Sequence, residues 1–147
     1  MWNRFNLRCD GCDYYLPKEK LTQFPSVKAS SHCPNCEQGL LNVHYDLGSD
    51  RFLNWKSQLL QRQGSLWRYW ELLPLVDWEM AVTFGEGWTP LIPLNRFGSA
   101  IALSNVYLKD ERQGPTATFK DRQATVAISF LKEQGINELV LASTGNV

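Results

Sequence analysis

The sequence predicts an α/β fold, with a parallel sheet and flanking helices, preceded by a small four-cysteine module of the zinc-ribbon kind. Two observations predict it: the cysteines fall in two Cys-x-x-Cys pairs near the N-terminus, and the last third of the chain alternates strand and helix patterns. We therefore expect a zinc-ribbon-like module at residues 1–47, a helical connector at 48–83 and the N-terminal part of an α/β domain at 84–147.

The four cysteines have the spacing of a four-thiolate zinc site, with twenty residues between the inner pair. The predicted ligands are Cys9, Cys12, Cys33 and Cys36. We expect a structural Zn²⁺, because four thiolates leave no position for water or substrate. The alternative is a cluster of unmetallated thiols. His32 and His44 are interpreted as surface residues, and 40–45 as a strand that follows the second pair.

Composition excludes several classes of partner. Fifteen basic and fifteen acidic residues cancel, so no net field draws the chain to nucleic acid or to an anionic membrane. No run approaches the ~18 consecutive apolar residues of a membrane span, and the N-terminus lacks the organisation of a signal peptide. We expect a soluble, cytoplasmic protein, where reducing conditions keep thiolates available for metal.

The connector has helical character. Ser49 or Asp50 can cap a helix that Gly64 ends, and a short helical turn over 65–74 stops before a proline. The apolar residues that repeat at helical spacing in the first helix are Phe52, Leu53, Leu59 and Leu60. The second segment carries Trp67, Tyr69 and Trp70. We expect these rings to pack the connector against the following domain rather than to stack on bases.

The last third predicts one β-α-β unit, with strands at 105–110 and 138–142 around a helix at 119–134. Thr118 is placed to cap the helix, Gly135 to end it, and Lys120 lies in its first turn. The candidate inward residues are Phe119, Ala127, Phe130 and Leu131. Because a parallel sheet needs helices on both faces, we expect the sequence to be part of a longer chain.

Four motifs in this region carry a resemblance. Gly-Glu-Gly-Trp-Thr-Pro-Leu at 85–91, Tyr-Leu-Lys-Asp-Glu at 107–111, Pro-Thr-Ala-Thr-Phe-Lys-Asp-Arg at 115–122 and Ala-Ser-Thr-Gly-Asn at 142–146 occur in that order. Together they resemble the N-terminal part of the threonine synthase family, fold-type II enzymes dependent on pyridoxal phosphate. Gly114, Ala117 and Thr118 replace the asparagine, glycine and serine of the common third motif. If that glycine uses a positive φ, either alanine introduces strain there or the loop shifts.

The resemblance implies roles for individual residues. Lys120 would form the Schiff base with pyridoxal 5′-phosphate and move protons at the substrate's α and β carbons, and a helix N-terminus favours the neutral amine that this chemistry needs. Asn146 would hydrogen-bond the phenolic oxygen of the cofactor. Ser143, Thr144 and Gly145 would bind the substrate carboxylate. Lys109 would contact the substrate, with a surface ion pair as the alternative.

The implied reaction converts O-phosphohomoserine and water to threonine and phosphate. The expected partners are a small-molecule amino-acid substrate and a second copy of the chain, in a homodimer. The zinc module favours threonine synthase or cysteate synthase over cysteine synthase or threonine dehydratase, which share the fold. The alternative of a different class is a non-catalytic zinc-ribbon binding module, which would show no visible absorption from a cofactor. The phosphate cradle and the partner of the pyridine nitrogen are expected beyond Val147.

Overall fold

A computed structural model describes residues 5–17, 32–45 and 55–142. Its N-terminal part is an antiparallel sheet of order β2-β1-β3, built from Phe5–Cys9 (β1), Tyr15–Pro17 (β2) and Leu41–Tyr45 (β3). Leu7, at the centre of β1, lies opposite Leu16 on one side and Val43 on the other. The predicted strand at 40–45 is confirmed as β3. The sequence reading missed β1 and β2, since β2 is too short to show an alternating pattern.

The core of this sheet is small. Phe5 and Leu16 are buried, with 2% and 8% of their surface exposed, and Leu7, Tyr14 and Tyr45 pack against them. A further ring, from Phe130, reaches the same cluster from the C-terminal part of the chain. The aromatic residues of two distant segments therefore share one apolar cluster.

The connector contains a short α-helix, Trp55–Gln61 (α1), followed by a 3₁₀ segment, Leu66–Leu72. The helical turn predicted over 65–74 is confirmed. The proposed caps and the first two apolar residues of the predicted connector helix lie outside the described residues. Leu60 is 85% exposed, so it does not contribute to the core. The helix ends at Gln61, before the predicted end at Gly64.

The C-terminal part begins with a 3₁₀ turn, Trp78–Met80. Two strands, Leu91–Pro93 (β4) and Tyr107–Lys109 (β5), form an antiparallel pair with Leu91 opposite Lys109. A short helix, Asn95–Ala100 (α2), joins them, and a 3₁₀ turn, Glu111–Gln113, follows β5 directly. The longest element is the helix Lys120–Glu133 (α3). β5 confirms the centre of the strand predicted at 105–110.

The predicted strand at 138–142 is absent, and a parallel sheet is not confirmed. Residues 136–142 have no regular structure, and Leu139, Val140 and Leu141 are 44%, 98% and 65% exposed. An apolar run forms a strand only where a neighbouring strand takes up its backbone hydrogen bonds. Within the described residues β5 pairs with β4 instead, so the β-α-β unit does not form there.

The predicted helix at 119–134 agrees with α3 to one residue at each end, and Gly135 follows it with a φ of +75°. Its predicted inward face is wrong for two residues, because Phe119 is 61% exposed and Ala127 is also exposed. Phe130 and Leu131 are half-buried. The fully buried residues are Asp121, Thr125 and Ser129. The helix packs against a backbone segment that presents polar groups, and Ser129 Oγ accepts from the N–H of Val82 at 2.8 Å.

Candidate metal centre and candidate active site

The four cysteines meet at one point. Their sulfur atoms all lie within 4.8 Å of one another, with Cys9 and Cys36 3.6 Å apart and Cys12 and Cys33 3.7 Å apart. A tetrahedral site with Zn–S bonds of about 2.3 Å separates neighbouring sulfurs by about 3.8 Å. The cluster therefore has the dimensions and the donor chemistry that fit a Zn²⁺ ion.

Backbone N–H groups surround these sulfurs. Gly11 N donates to Cys9 Sγ at 3.2 Å, Asn35 N to Cys33 Sγ at 3.3 Å and Gly39 N to Cys36 Sγ at 3.3 Å. Such bonds favour the thiolate, the form that binds metal. A Cβ on Gly39 would lie only 2.3 Å from Cys9 Sγ, so this position requires glycine. His32 and His44 are exposed, in agreement with their interpretation as surface residues.

Two of the thiols differ in acidity. Burial raises the pKa of Cys9 to about 12, while backbone hydrogen bonds from Gly39 and Gln38 lower the pKa of Cys36 to about 7. Cys36 is therefore the more readily ionised of these two sulfurs.

Lys120 is the first residue of α3 and is half-buried. Its backbone N–H donates to Thr118 Oγ1 at 3.3 Å, so the predicted capping hydroxyl is used, one residue before the formal N-cap at Phe119. A primary amine in the first turn of a helix fits a cofactor that carries an aldehyde and an anionic phosphate. The residues present therefore fit pyridoxal phosphate.

The loop before α3 is fastened to its first turn. The Asp121 carboxylate is buried and accepts from the Thr116 backbone N–H at 3.0 Å and from the Thr116 hydroxyl. Ala117 has a φ of +58°, the left-handed conformation that favours glycine. The strain expected for alanine at this position is thus confirmed.

A second contact holds α3 from the side of the sheet. Arg122 forms a forked ion pair with Glu111, its Nε and Nη2 each 2.9 Å from a carboxylate oxygen. Thr89 Oγ1 donates to Glu111 at 2.8 Å, and Arg122 Nη2 lies 3.2 Å from the same hydroxyl. The hydrogen bond from Arg122 lowers the pKa of Glu111, and that bond in turn raises the pKa of Arg122. We name these three residues the Thr89–Glu111–Arg122 network.

Lys109 lies at the end of β5, where its Nζ donates to the backbone carbonyl of Thr89. It lines an open cavity of about 390 Å³, between the connector and the start of β4. The other lining residues are Ser65, Tyr69, Trp88, Thr89, Pro90, Leu91 and Arg122. Lys120 is not among the residues that line this cavity. The substrate role of Lys109 stays a prediction.

The segment 84–90 is clamped by the connector around one buried carboxylate. Glu86 is 1% exposed and accepts from Trp67 Nε1 at 2.7 Å, from Thr83 Oγ1 at 3.0 Å and from the Phe84 N–H at 2.8 Å. Burial opposes its ionisation, yet hydrogen bonds, those from the Phe84 N–H and the Thr83 hydroxyl among them, leave the pKa of Glu86 below its usual range. Trp67 therefore packs the connector against this segment, as predicted.

Sequence reasoning missed Glu86 and the partnership of Thr89, Glu111 and Arg122. Glu86 lies between two glycines that both have positive φ, and a charged residue in a Gly-x-Gly turn is a weak signal by itself.

Of the other predicted site residues, Ser143, Thr144, Gly145 and Asn146 lie outside the described residues. In the part of the chain that the structure describes, no helix is long and apolar enough to cross a bilayer.

Comparison with known proteins relates the C-terminal part of the chain to a protein family. Residues 82–147 match the model described as "Pyridoxal-phosphate dependent enzyme". This range contains the Thr89–Glu111–Arg122 network and Lys120. Residues 82–147 are therefore similar to pyridoxal-phosphate dependent enzymes.

Relatives extend the likeness beyond the segment of that family. The chain is 36% identical over 108 residues to a threonine synthase of Methanocaldococcus jannaschii, covering 74% of this chain and 27% of the relative. It is 41% identical over 114 residues to a threonine synthase of Methanosarcina acetivorans, covering 78% and 27%. A threonine synthase of Halalkalibacterium halodurans is 41% identical over 86 residues, covering 58% and 24%.

The chain resembles threonine synthases and spans about a quarter of the length of these curated relatives. Because the longest of these alignments covers 114 residues and the family segment only 66, the likeness includes part of the chain before residue 82. No solved structure matches the chain.

Proposed function

We propose that this protein acts as a threonine synthase, converting O-phosphohomoserine and water to threonine and phosphate with pyridoxal phosphate as cofactor. The observation that carries the proposal is the similarity to threonine synthases across 74–78% of the chain. The family match alone supports only a pyridoxal-phosphate enzyme, since one fold serves several replacement and elimination reactions.

Lys120 is the residue we assign to cofactor attachment. Its half-buried amine stands at the start of a 14-residue helix, behind a loop that is hydrogen-bonded to the first turn. When bound, pyridoxal phosphate supplies an electron sink for charge that develops on the substrate. Lys120 Nζ then takes up and returns protons at the α and β carbons of the substrate.

The remaining assignments follow the resemblance. Asn146 would donate a hydrogen bond to the cofactor's phenolic oxygen, and Ser143, Thr144 and Gly145 would bind the substrate carboxylate. Lys109 would contribute positive charge to an anionic group of the substrate. The same proposal places the protein in the cytoplasm as a homodimer.

The cysteine cluster is proposed to hold a structural Zn²⁺. Four sulfurs at the spacing of a tetrahedral site, three of them accepting backbone N–H bonds, support this assignment. All four donors come from the protein, so the metal would stabilise the fold and take no part in the reaction.

Replacing Lys120 tests the function. The intact protein containing this sequence, purified with pyridoxal phosphate, should show a visible absorption band that borohydride removes, leaving the label on Lys120 in peptide mass spectra. Lys120→Ala should lose the band, and turnover of O-phosphohomoserine should fall by at least about 10³-fold, since a covalent catalyst is removed.

The matched control is Lys132→Ala, in the last turn of the same helix and exposed to solvent. It should keep both the band and the turnover. A wild-type protein without the band would contradict the enzyme assignment and favour the zinc-binding module as the functional part. A band with turnover of another β-substituted amino acid, and none of O-phosphohomoserine, would contradict the substrate alone.

A further inference from the structure

The first turn of α3 is held from the side of the sheet by one side chain. Arg122 donates from two guanidinium nitrogens to Glu111, which follows β5, and contacts the hydroxyl of Thr89, which precedes β4. The side chains of Arg122 and Glu111 are 27% and 25% exposed. A partly buried, forked arginine–carboxylate pair is both stronger and more directional than a single surface contact.

The same turn is held from the opposite direction through the neighbouring residue. Asp121 accepts from the backbone and the hydroxyl of Thr116, so the loop before the helix cannot separate from it without breaking two partly buried hydrogen bonds. Lys120 directly precedes these two attached residues in the first turn of α3. The helix start is therefore fixed against both sliding and rotation.

Rotation matters for the amine of Lys120. Side chains two positions apart lie on nearly opposite sides of a helix, about 160° apart around its axis. The Arg122 guanidinium therefore does not share a face with Lys120, and it acts on Lys120 through the helix backbone. A side-chain tip roughly 6 Å from the helix axis moves about 1 Å when the helix turns by about 10°. A misplacement of about 1 Å at a reacting group can lower a rate about 10²-fold.

The ionisation of Glu111 keeps its hydrogen bonds to Arg122 and Thr89 in place at neutral pH. The bond from Arg122 lowers the pKa of Glu111, and Thr89 and Lys109 act in the same direction. Glu111 is thus ionised at neutral pH and able to accept three hydrogen bonds from the network.

We propose that Thr89, Glu111 and Arg122 are positioning residues that fix the direction of the Lys120 amine toward the cofactor aldehyde. The inference rests on the proposed function and extends it to residues to which that function assigns no contact with cofactor or substrate. Ser129 attaches the later part of the helix through Val82, whereas this network and Asp121 hold its first turn.

The test measures the reactivity of Lys120 itself. The intact protein is mixed with pyridoxal phosphate and reduced with borohydride, and the label on Lys120 is quantified relative to Lys132 by peptide mass spectrometry. Glu111→Gln should lower this ratio about 10-fold or more, because the forked pair is lost. Arg122→Lys keeps the charge without the fork and should lower it by an intermediate amount.

Thr89 provides a finer comparison. Thr89→Val keeps the shape and removes the hydroxyl, so the ratio should fall, whereas Thr89→Ser should keep the wild-type ratio. Arg112→Gln is the matched control, since Arg112 follows Glu111 in the same 3₁₀ turn but forms its ion pair with Asp110, outside α3. It should leave the ratio unchanged.

The thermal midpoint of each variant is measured on the same samples. A lower midpoint with an unchanged Lys120 ratio in Glu111→Gln, Arg122→Lys and Thr89→Val would overturn the inference and leave the network a purely structural role. Wild-type protein that labels Lys132 but not Lys120 would overturn the proposed function and this inference together. If Glu111→Gln does not fold, the Thr89 pair still decides the question.

Discussion

At the scale of single residues, Ala117 and Trp88, both within the segment 82–147, have a left-handed backbone conformation. Ala117 has a φ of +58° in the loop before Lys120, and Trp88 has a φ of +53° beside the cavity. A left-handed conformation costs a non-glycine residue roughly 1–2 kcal/mol. Trp88 is held by its neighbours, with the Arg68 guanidinium 4.4 Å from its ring centroid. Such strain persists where the surrounding contacts determine the conformation.

Ala117→Gly should therefore stabilise the protein. Glycine removes the cost of the positive φ, and the gain is reduced by the larger entropy of the unfolded chain, so we expect an increase of up to about 1 kcal/mol in the free energy of unfolding. Urea denaturation measures it. Ala81→Gly is the control, because Ala81 has a φ of −60°, and this change should destabilise by about 0.5–1 kcal/mol. Destabilisation by Ala117→Gly would contradict the strain argument.

At the scale of elements, the connector and the segment 84–90 form one packed unit. The Leu66 N–H donates to the carbonyl of Glu86 at 2.8 Å, and a Cβ on Gly87 would lie 2.3 Å from the nitrogen of Leu66. A Cβ on Gly64 would lie 2.4 Å from the Trp88 ring. Glycines at these two positions allow the connector to approach the segment, and the aromatic rings of the connector serve packing.

Trp67→Phe tests the buried hydrogen bond of this unit. Phenylalanine keeps an aromatic ring and removes the donor to Glu86, which leaves a buried carboxylate oxygen without that partner, and we expect a loss of about 1–3 kcal/mol in the free energy of unfolding. Trp78→Phe is the control, since Trp78 is 67% exposed and its replacement should change stability by less than about 0.5 kcal/mol. Equal effects of the two substitutions would show that the bond to Glu86 contributes nothing.

At the scale of the whole molecule, the N-terminal sheet depends on two supports. Within the described residues, its buried apolar core consists of Phe5 and Leu16, too little to hold a small sheet by apolar burial alone. The proposed metal is one support. The other is Phe130 of α3, which links the sheet to the segment that carries Lys120.

Removing the metal should therefore unfold the N-terminal sheet. We expect about one zinc per chain in the intact protein. A chelator should abolish the protection of the backbone amides of β1–β3 in hydrogen-exchange measurements. Cys33→Ser should lower zinc content and protection of this sheet, because Cys33 is a buried ligand candidate. His32→Ala is the control and should keep both. Protein that lacks zinc yet shows full protection would contradict the structural role of the metal.

The sequence by itself determined the features that depend on local spacing. Two Cys-x-x-Cys pairs predicted the cluster, the helical pattern after Thr118 predicted α3, and the motif around Lys120 placed that residue in the first turn. Such features are predictable because turns and helices join residues only a few positions apart.

The tertiary structure decided which segments meet. The antiparallel pairing of β4 with β5, the buried polar face of α3 and the Thr89–Glu111–Arg122 network join residues up to 47 positions apart. A polar side chain is stable inside the protein only when a particular partner is there. That partner is supplied by a distant segment, and no local pattern records it, which is why Thr125, Ser129 and Glu86 could be recognised as interior residues only after the chain was folded.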